Sequence, residues 1–217
     1  MTNINYFDSI AVKWDTMRQE FFREDLRTKA FELAQIQPGR TAADIGAGTG
    51  FITMGLIERG LKVIAVDHSK AMLDVLKNKL PFSTQLDCRI GEAENLPLKD
   101  NQVDYVFANM FLHHVTEPAA AIKEMARILK PGGILVITDM DKHTSMPIKR
   151  EHHDLWMGFD RKDVHRWFEE GGMQKVQVQC LDEECCVKTR SSREDVQVSI
   201  FIASGKKSDA NIESTNK

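Results

Sequence analysis

Long apolar runs are missing from this sequence. No stretch approaches the ~20 residues that a membrane-spanning helix requires. Cysteine is scarce, with four residues in 217, Cys88, Cys180, Cys185 and Cys186. Their number and uneven spacing exclude the disulfide framework of a small secreted domain. Charge of either sign is not in excess: 29 basic against 32 acidic side chains leave a net charge of −3. No global field therefore draws in nucleic acid or anionic lipid. The opening stretch MTNINYFDSIAVKWD lacks the basic start and apolar core of a secretory signal, so the expected location is the cytoplasm. There is no internal repeat. Residues 206–217, KKSDANIESTNK, hold too few apolar side chains to order themselves and are expected to form a disordered tail. Residues 1–205 are expected to form one domain, with residues 1–36 as N-terminal helices serving partly as a lid.

What is present has the pattern of a layered α/β protein. NYFDSIAVKWDTM and REDLRTKAFELAQI carry apolar side chains at three- and four-residue spacing and predict two helices, the second stopped by QPGR. Strand and helix then alternate. TAADIG, KVIAVD, TQLDCRIG, VDYVFANM and GILVITDM read as strands. Helices fall on GFITMGLIERG, on SKAMLDVLKNKL with Ser69 as N-cap, and on EPAAAIKEMARILK closed by PGG. This alternation implies a parallel sheet with helices on both faces. The end breaks the rhythm: after the helix RKDVHRWFEEGG, the alternating runs KVQVQCL and VQVSIFIAS have no helix between them and predict an antiparallel hairpin.

The stretch AADIGAGTGFITMGLIERGLKVIAVDHS places three glycines in five residues between the first strand and its helix. Glycines there let a ligand approach the backbone, and the N–H groups of the helix start point towards it. Asp67, ending the second strand, stands where a carboxylate can accept hydrogen bonds from ribose hydroxyls. Together they describe an adenosine-type ligand. The dinucleotide pattern G-x-G-x-x-G fails at its third glycine, where Phe51 stands. Asp44, two residues before Gly46, suits a pyrophosphate poorly. It suits a ligand bearing ammonium and sulfonium charges.

With these residues in place, ADIGAGTGFIT, AVDHSKAML, GEAENLPLKDNQVDYVFANMFLHHV and ILKPGGILVITD resemble the class I S-adenosylmethionine-dependent methyltransferases. The similarity is greatest to the small-molecule branch that includes the ubiquinone/menaquinone-biosynthesis and arsenite enzymes. It spans about Tyr6 to Ala203. The resemblance implies a doubly wound, seven-stranded α/β sheet, mostly parallel, with an antiparallel C-terminal hairpin. It implies S-adenosyl-L-methionine as cofactor. Gly46, Ala47 and Gly48 match the turn under the methionine part, with Asp44 just behind. Asp67 matches the ribose acid, with His68 beside it, and Met72 the apolar contact to adenine. Glu92 stands where the family often has an aspartate facing the adenine amino group, followed by Ala93. Asn109 matches a residue facing the reacting centre, and Tyr6 and Phe7 an aromatic pair folded over the cofactor. Local structure alone offers plainer roles: a strand–helix turn for the glycines, and core packing for Met72 and Phe7.

Methyl transfer from a sulfonium is an in-line displacement and needs a base only when the acceptor is protonated. The cofactor motifs therefore do not name the acceptor, which is expected to be a small molecule. FLHHVTE places His113 and His114 just after Asn109, as a general base near neutral pKa or as structural residues. KREHHDLWMGF sets Glu151, His152, His153 and Asp154 in a row, but adjacent residues share no helix face and no metal site is expected there. His152 or His153 could line the acceptor site with Trp156. Cys180, Cys185 and Cys186 raise the alternative of a soft metalloid acceptor. A non-catalytic cofactor-binding protein and a nicotinamide-dependent oxidoreductase are the remaining alternatives. Nucleic acid is not expected as acceptor, because the fourth strand ends in NMFL, without the N-P-P-Y-type tetrapeptide usual in base-methylating relatives.

Overall fold

A computed structural model describes residues 3–18, 24–181 and 198–209. Two short helices, α1 (Asn3–Ile10) and α2 (Trp14–Arg18), flank a turn of 3-10 helix, and α3 (Glu24–Ala34) follows. The alternating part then runs β1 (Thr41–Ile45), α4 (Phe51–Glu58), β2 (Lys62–Asp67), α5 (Lys70–Lys79), β3 (Leu86–Ile90), β4 (Val103–Asn109), α6 (Pro118–Ile128) and β5 (Leu129–Met140). The chain closes with α7 (Met146–His152), α8 (Arg161–Glu170), β6 (Met173–Cys180) and β7 (Ile200–Lys207).

The seven strands form one sheet in the order β3-β2-β1-β4-β5-β7-β6. The first five are parallel, and β7 inserts antiparallel between β5 and β6. The expected fold class and terminal hairpin are both present. Central strands covered on two faces are largely apolar, and β1, β2 and β4 bury every residue except Thr41, Lys62, Asp67, Asp104 and Asn109. One face packs on α3 through Leu26, Ala30 and Phe31 against Phe107 and Ile202. The other packs on α6 and α8 through Ile122, Met125, Val164 and Phe168. Ser69 caps α5 as expected, its hydroxyl accepting from Met72 N at 3.1 Å.

Three boundaries differ from the sequence expectation. The PGG after α6 is not a stop between elements. β5 begins at Leu129, and the register shifts between Val103 and Tyr105 of β4 as the glycines bulge. A side chain at Gly133 would stand 2.9 Å from the Asp104 carbonyl, which is why the bulge takes glycine. In β6, Lys175 adopts φ 52° where the register with β7 slips between Gln174 and Gln177. β7 continues to Lys207, two residues into the expected tail, because Lys207 Nζ donates to the Leu129 carbonyl at 2.8 Å and the Arg127 carbonyl at 3.2 Å. Ser208 and Asp209 follow, with Lys206 Nζ donating to Asp209 Oδ2 at 2.9 Å, and residues 210–217 lie outside the described residues.

The strand order reverses between β1 and β4, so the carboxyl ends of β1, β2 and β4 diverge around a crevice. In open α/β sheets ligands bind at such a switch point.

Candidate active site

A cavity of about 810 Å³ occupies this crevice. Its floor is the turn after β1. Gly46 N and Ala47 N both donate to the Val66 carbonyl, at 2.9 and 3.0 Å, which pins the turn to β2. Gly46, Gly48 and Gly50 have φ of 69°, 52° and 96°, the left-handed region that glycine enters without strain. At Gly46 the reason is also steric: a Cβ would stand 2.1 Å from the Phe111 ring. At Gly48 the nearest group is Trp14 Nε1, 3.6 Å from the ideal Cβ.

Two carboxylates face the turn. Asp67 accepts from Gly48 N and from Ser69 N, each at 2.8 Å. Burial pushes its pKa up, against the pull of these bonds. Asp44 is 1% exposed. It accepts from Thr53 N at 2.9 Å and Thr53 Oγ1 at 2.6 Å, so it satisfies one of the orphan N–H groups that open α4. Burial raises its carboxyl to about 7, with the Asp67 charge adding to the effect.

The walls come from four further segments. Met72 is fully buried on α5, and Gly91 and Ala93 close the side beyond β2. Glu92 is exposed at the rim, its carboxylate 3.9 Å from His68 Nδ1. Asn109 ends β4, its Oδ1 accepting from Thr138 Oγ1 at 2.7 Å. Lys149, Arg150 and His153 reach the cavity from α7 and its end. Phe7 and Trp14 cover it from α1 and α2, with Phe7 edge-on to His114 at 4.9 Å. These helices are tied down by polar bonds: Ser69 Oγ to Asp8 Oδ1 at 2.6 Å, and Thr49 Oγ1 to Asp15 Oδ1 at 2.8 Å.

Of the residues expected from sequence, Phe7, Asp44, Gly46, Ala47, Gly48, Asp67, His68, Met72, Glu92, Ala93, Asn109 and His114 line this one cavity. Tyr6 and His113 do not. The Tyr6 hydroxyl donates to the Glu151 carbonyl at 3.2 Å, and its ring lies 4.4 Å from His153, joining α1 to α7 behind the cavity. His113 is 4% exposed behind His114, its Nδ1 2.7 Å from Asp139 Oδ1. Burial alone would lower the His113 pKa; the charge and hydrogen bond of Asp139 outweigh it and hold the imidazole above its ordinary value. Cys180 is exposed on the edge strand β6 and lines no part of the cavity, while Cys185 and Cys186 lie outside the described residues.

Sequence reasoning missed Phe111, Trp14, Lys149 and Arg150 on the walls and Asp139 behind them. Asp139 carried a usable signal: like Asp44 and Asp67 it is an acid at the carboxyl end of a parallel strand. The others depend on contacts between distant segments and left no local trace.

A family model described as a methyltransferase domain matches residues 43–137, from β1 into β5. An uncharacterized methyltransferase of Mycobacterium tuberculosis H37Rv is 51% identical over 96 residues, covering 44% of this chain and 38% of that protein. The demethylmenaquinone methyltransferase of Renibacterium salmoninarum is 32% identical over 154 residues, covering 70% of this chain and 64% of that protein. The chain thus matches less than two thirds of the length of either relative. Among solved structures, phosphoethanolamine N-methyltransferase 2 of Haemonchus contortus, in complex with phosphomonomethylethanolamine and S-adenosylhomocysteine, superposes with a TM-score of 0.73. Its identity is 17%, over 85% of this chain and 53% of that one, a likeness of fold.

Proposed function

With residues 43–137 belonging to the methyltransferase-domain family, we propose that the chain transfers the methyl group of S-adenosyl-L-methionine to a small-molecule acceptor by in-line displacement. The observation that carries this reading is the cavity itself. It joins the glycine turn and both strand-end acids to a second set of walls, from β4 and α7, in one continuous space.

The donor half uses the turn. The Asp67 carboxylate accepts from the Gly48 and Ser69 backbone N–H groups and keeps acceptor capacity for ribose hydroxyls. Met72 offers its thioether and buried side chain to adenine, with Ala93 and its backbone on the other side. His68 and Glu92 stand at the outer edge of the base. Asp44 places negative charge under the ammonium and sulfonium groups, where low dielectric strengthens the attraction. Phe7 and Trp14 close over the ligand, and exclude water from the sulfonium.

The acceptor half lies between Asn109, His114 and α7. The attacking atom must sit about 3 Å from the methyl carbon, opposite sulfur, before the carbon–sulfur bond breaks and leaves the neutral thioether. Lys149 and Arg150 on this wall favour an acceptor carrying negative charge. A screen of adenosylhomocysteine release over acidic phenols, quinols, thiols and amines tests the proposal. Turnover with one class, lost on Asp67→Ala, supports it. Tight adenosylhomocysteine binding with no turnover on any acceptor would instead favour a binding protein without catalysis.

A further inference from the structure

His113 and His114, on the short 3-10 turn after β4, and Asp154, just beyond α7, converge on one gap beside the cavity. One nitrogen from each histidine and one Asp154 oxygen all lie within 4.8 Å of one another. His113 Nε2 is 3.7 Å and His114 Nδ1 is 3.8 Å from Asp154 Oδ1, both beyond hydrogen-bond distance. Asp154 is 4% exposed, and neither of its oxygens accepts a hydrogen bond among the described residues. A buried carboxylate without a donor is costly, and native folds rarely keep one without a use.

The chain holds it there with several bonds. His153 turns the backbone through φ 57° at the end of α7. Leu155 N and Trp156 N then both donate to the His113 carbonyl at 3.1 Å, and Trp156 Nε1 donates to the Val115 carbonyl at 2.9 Å. Asp154 is thereby docked against the histidine turn. On the far side, the fully buried Asp139 carboxylate stands 2.7 Å from His113 Nδ1 and accepts its hydrogen bond. That bond fixes the ring and directs the Nε2 lone pair into the gap, as the carboxylate behind a metal-bound histidine does.

We propose that His113, His114 and Asp154 bind a divalent first-row transition metal, with zinc as the type, and that Asp139 orients His113 for it. Two imidazoles and one carboxylate suit such a metal better than magnesium or calcium, which take oxygen ligands. The two histidine-to-carboxylate spacings favour a metal over a bridging water, and the spacing between the two histidine nitrogens is bounded only by 4.8 Å. Tetrahedral ligands about 2.1 Å from zinc stand about 3.4 Å apart, whereas partners of one water at about 2.8 Å stand about 4.6 Å apart. The observed 3.7 and 3.8 Å fall nearer the metal value. Three protein ligands leave a fourth position, and His114 and Asp154 line the cavity, so that position opens towards it. Binding of the metal does not depend on the methyl-transfer reading, but its use does. There an acceptor hydroxyl or thiol bound to the ion would give up its proton to solvent, and the resulting oxyanion or thiolate would displace the thioether.

The test is calorimetric titration of the chelator-stripped chain with zinc alone, in the absence of S-adenosylmethionine, with cobalt absorption as a second readout. One ion per chain and a tetrahedral cobalt spectrum are expected. Asp154→Asn and His114→Gln should each weaken zinc binding by more than about 100-fold, and Asp139→Asn by about 10–100-fold, with melting curves showing all three folded. No zinc uptake by the folded chain would overturn the site, and would leave a water or a shared imidazolium in the gap. Uptake unchanged in Asp154→Asn and His114→Gln would also overturn it, by putting the ion elsewhere. Titrating the same samples with S-adenosylmethionine keeps the two readings apart: cofactor binding without zinc binding removes only the metal.

Discussion

Asp44 is the residue whose ionisation the cofactor reading constrains most. Its carboxyl titrates at about 7 in the folded chain because burial disfavours the charged form. A cationic ligand needs that charge. Binding S-adenosylmethionine should therefore release a proton below pH 7, and affinity should rise as pH increases through about 7 and then level off. Calorimetry between pH 5.5 and 8.5 checks this, and Asp44→Asn should flatten the profile. Asp67 acts differently, through the acceptor capacity its backbone bonds leave free. Asp67→Ala should weaken cofactor binding by roughly 1–3 kcal/mol, the cost of charge-assisted bonds to ribose, and unchanged affinity would count against the placement of the sugar. Both acids and the glycines between them were legible in the sequence because their signal is local: an acid at a strand end, and glycines where the backbone turns. Phe111 and Trp14 were not. What makes them wall residues is their approach to Gly46 and Gly48 across the fold, and nothing in NMFL or VKWD marks it.

Among the elements, the turn between β1 and α4 and the two helices above it carry the most consequence. Gly46→Ala places a Cβ against the Phe111 ring at a φ that alanine resists. It should lower stability by about 1–3 kcal/mol, the range for overpacking, measured by urea unfolding. Gly46→Ala combined with Phe111→Ala should recover part of that loss, since the clash is removed while the φ strain stays. Independent, additive effects would show that the ring is not the obstacle. The lid should respond to the ligand: α2 touches the turn through Asp15 and Trp14, and α1 is tied to Ser69 after β2 through Asp8. Amide exchange in both helices should slow when adenosylhomocysteine binds, and an unchanged rate there would separate them from the site. The helices α3 to α6 and α8 were readable from apolar spacing, whereas the single expected first helix is split into α1 and α2 and α7 was not foreseen. The start of β5 and the end of β7 were not readable, because neighbouring strands set them. The bulge at Gly133 answers to the Asp104 carbonyl of β4, and Lys207 to the carbonyls of Arg127 and Leu129.

Over the whole molecule, the βα alternation and the closing pair of strands foretold the sheet, and the switch point between β1 and β4 then located the cavity. No helix among the described residues is long and apolar enough to cross a membrane. The acceptor half could not be read in the same way. It is assembled from the first helices, the turn after β4 and α7, segments far apart in the chain. Asp154 shows the difficulty: its row of acids and histidines looks like a solvated helix face, and only docking on the His113 carbonyl buries it. Burial of Asp44 also predicts a global effect. Unfolded, it titrates near 3.8; folded, at about 7. Between these values the folded state holds a proton that the unfolded state has released, so stability falls as pH rises. The melting temperature of the ligand-free chain should drop by several degrees from pH 5 to pH 7.5, at about 2–4 °C per kcal/mol for a chain of this size, and by less in Asp44→Asn. The central claim is the position of the donor nucleoside, and a crystal structure of the chain with adenosylhomocysteine tests it most directly. The account predicts ribose hydroxyls on the Asp67 carboxylate, adenine against Met72, and the thioether sulfur turned towards Asn109 and His114. A nucleoside bound away from the turn after β1, or a crevice still empty in crystals soaked to saturation, would contradict it.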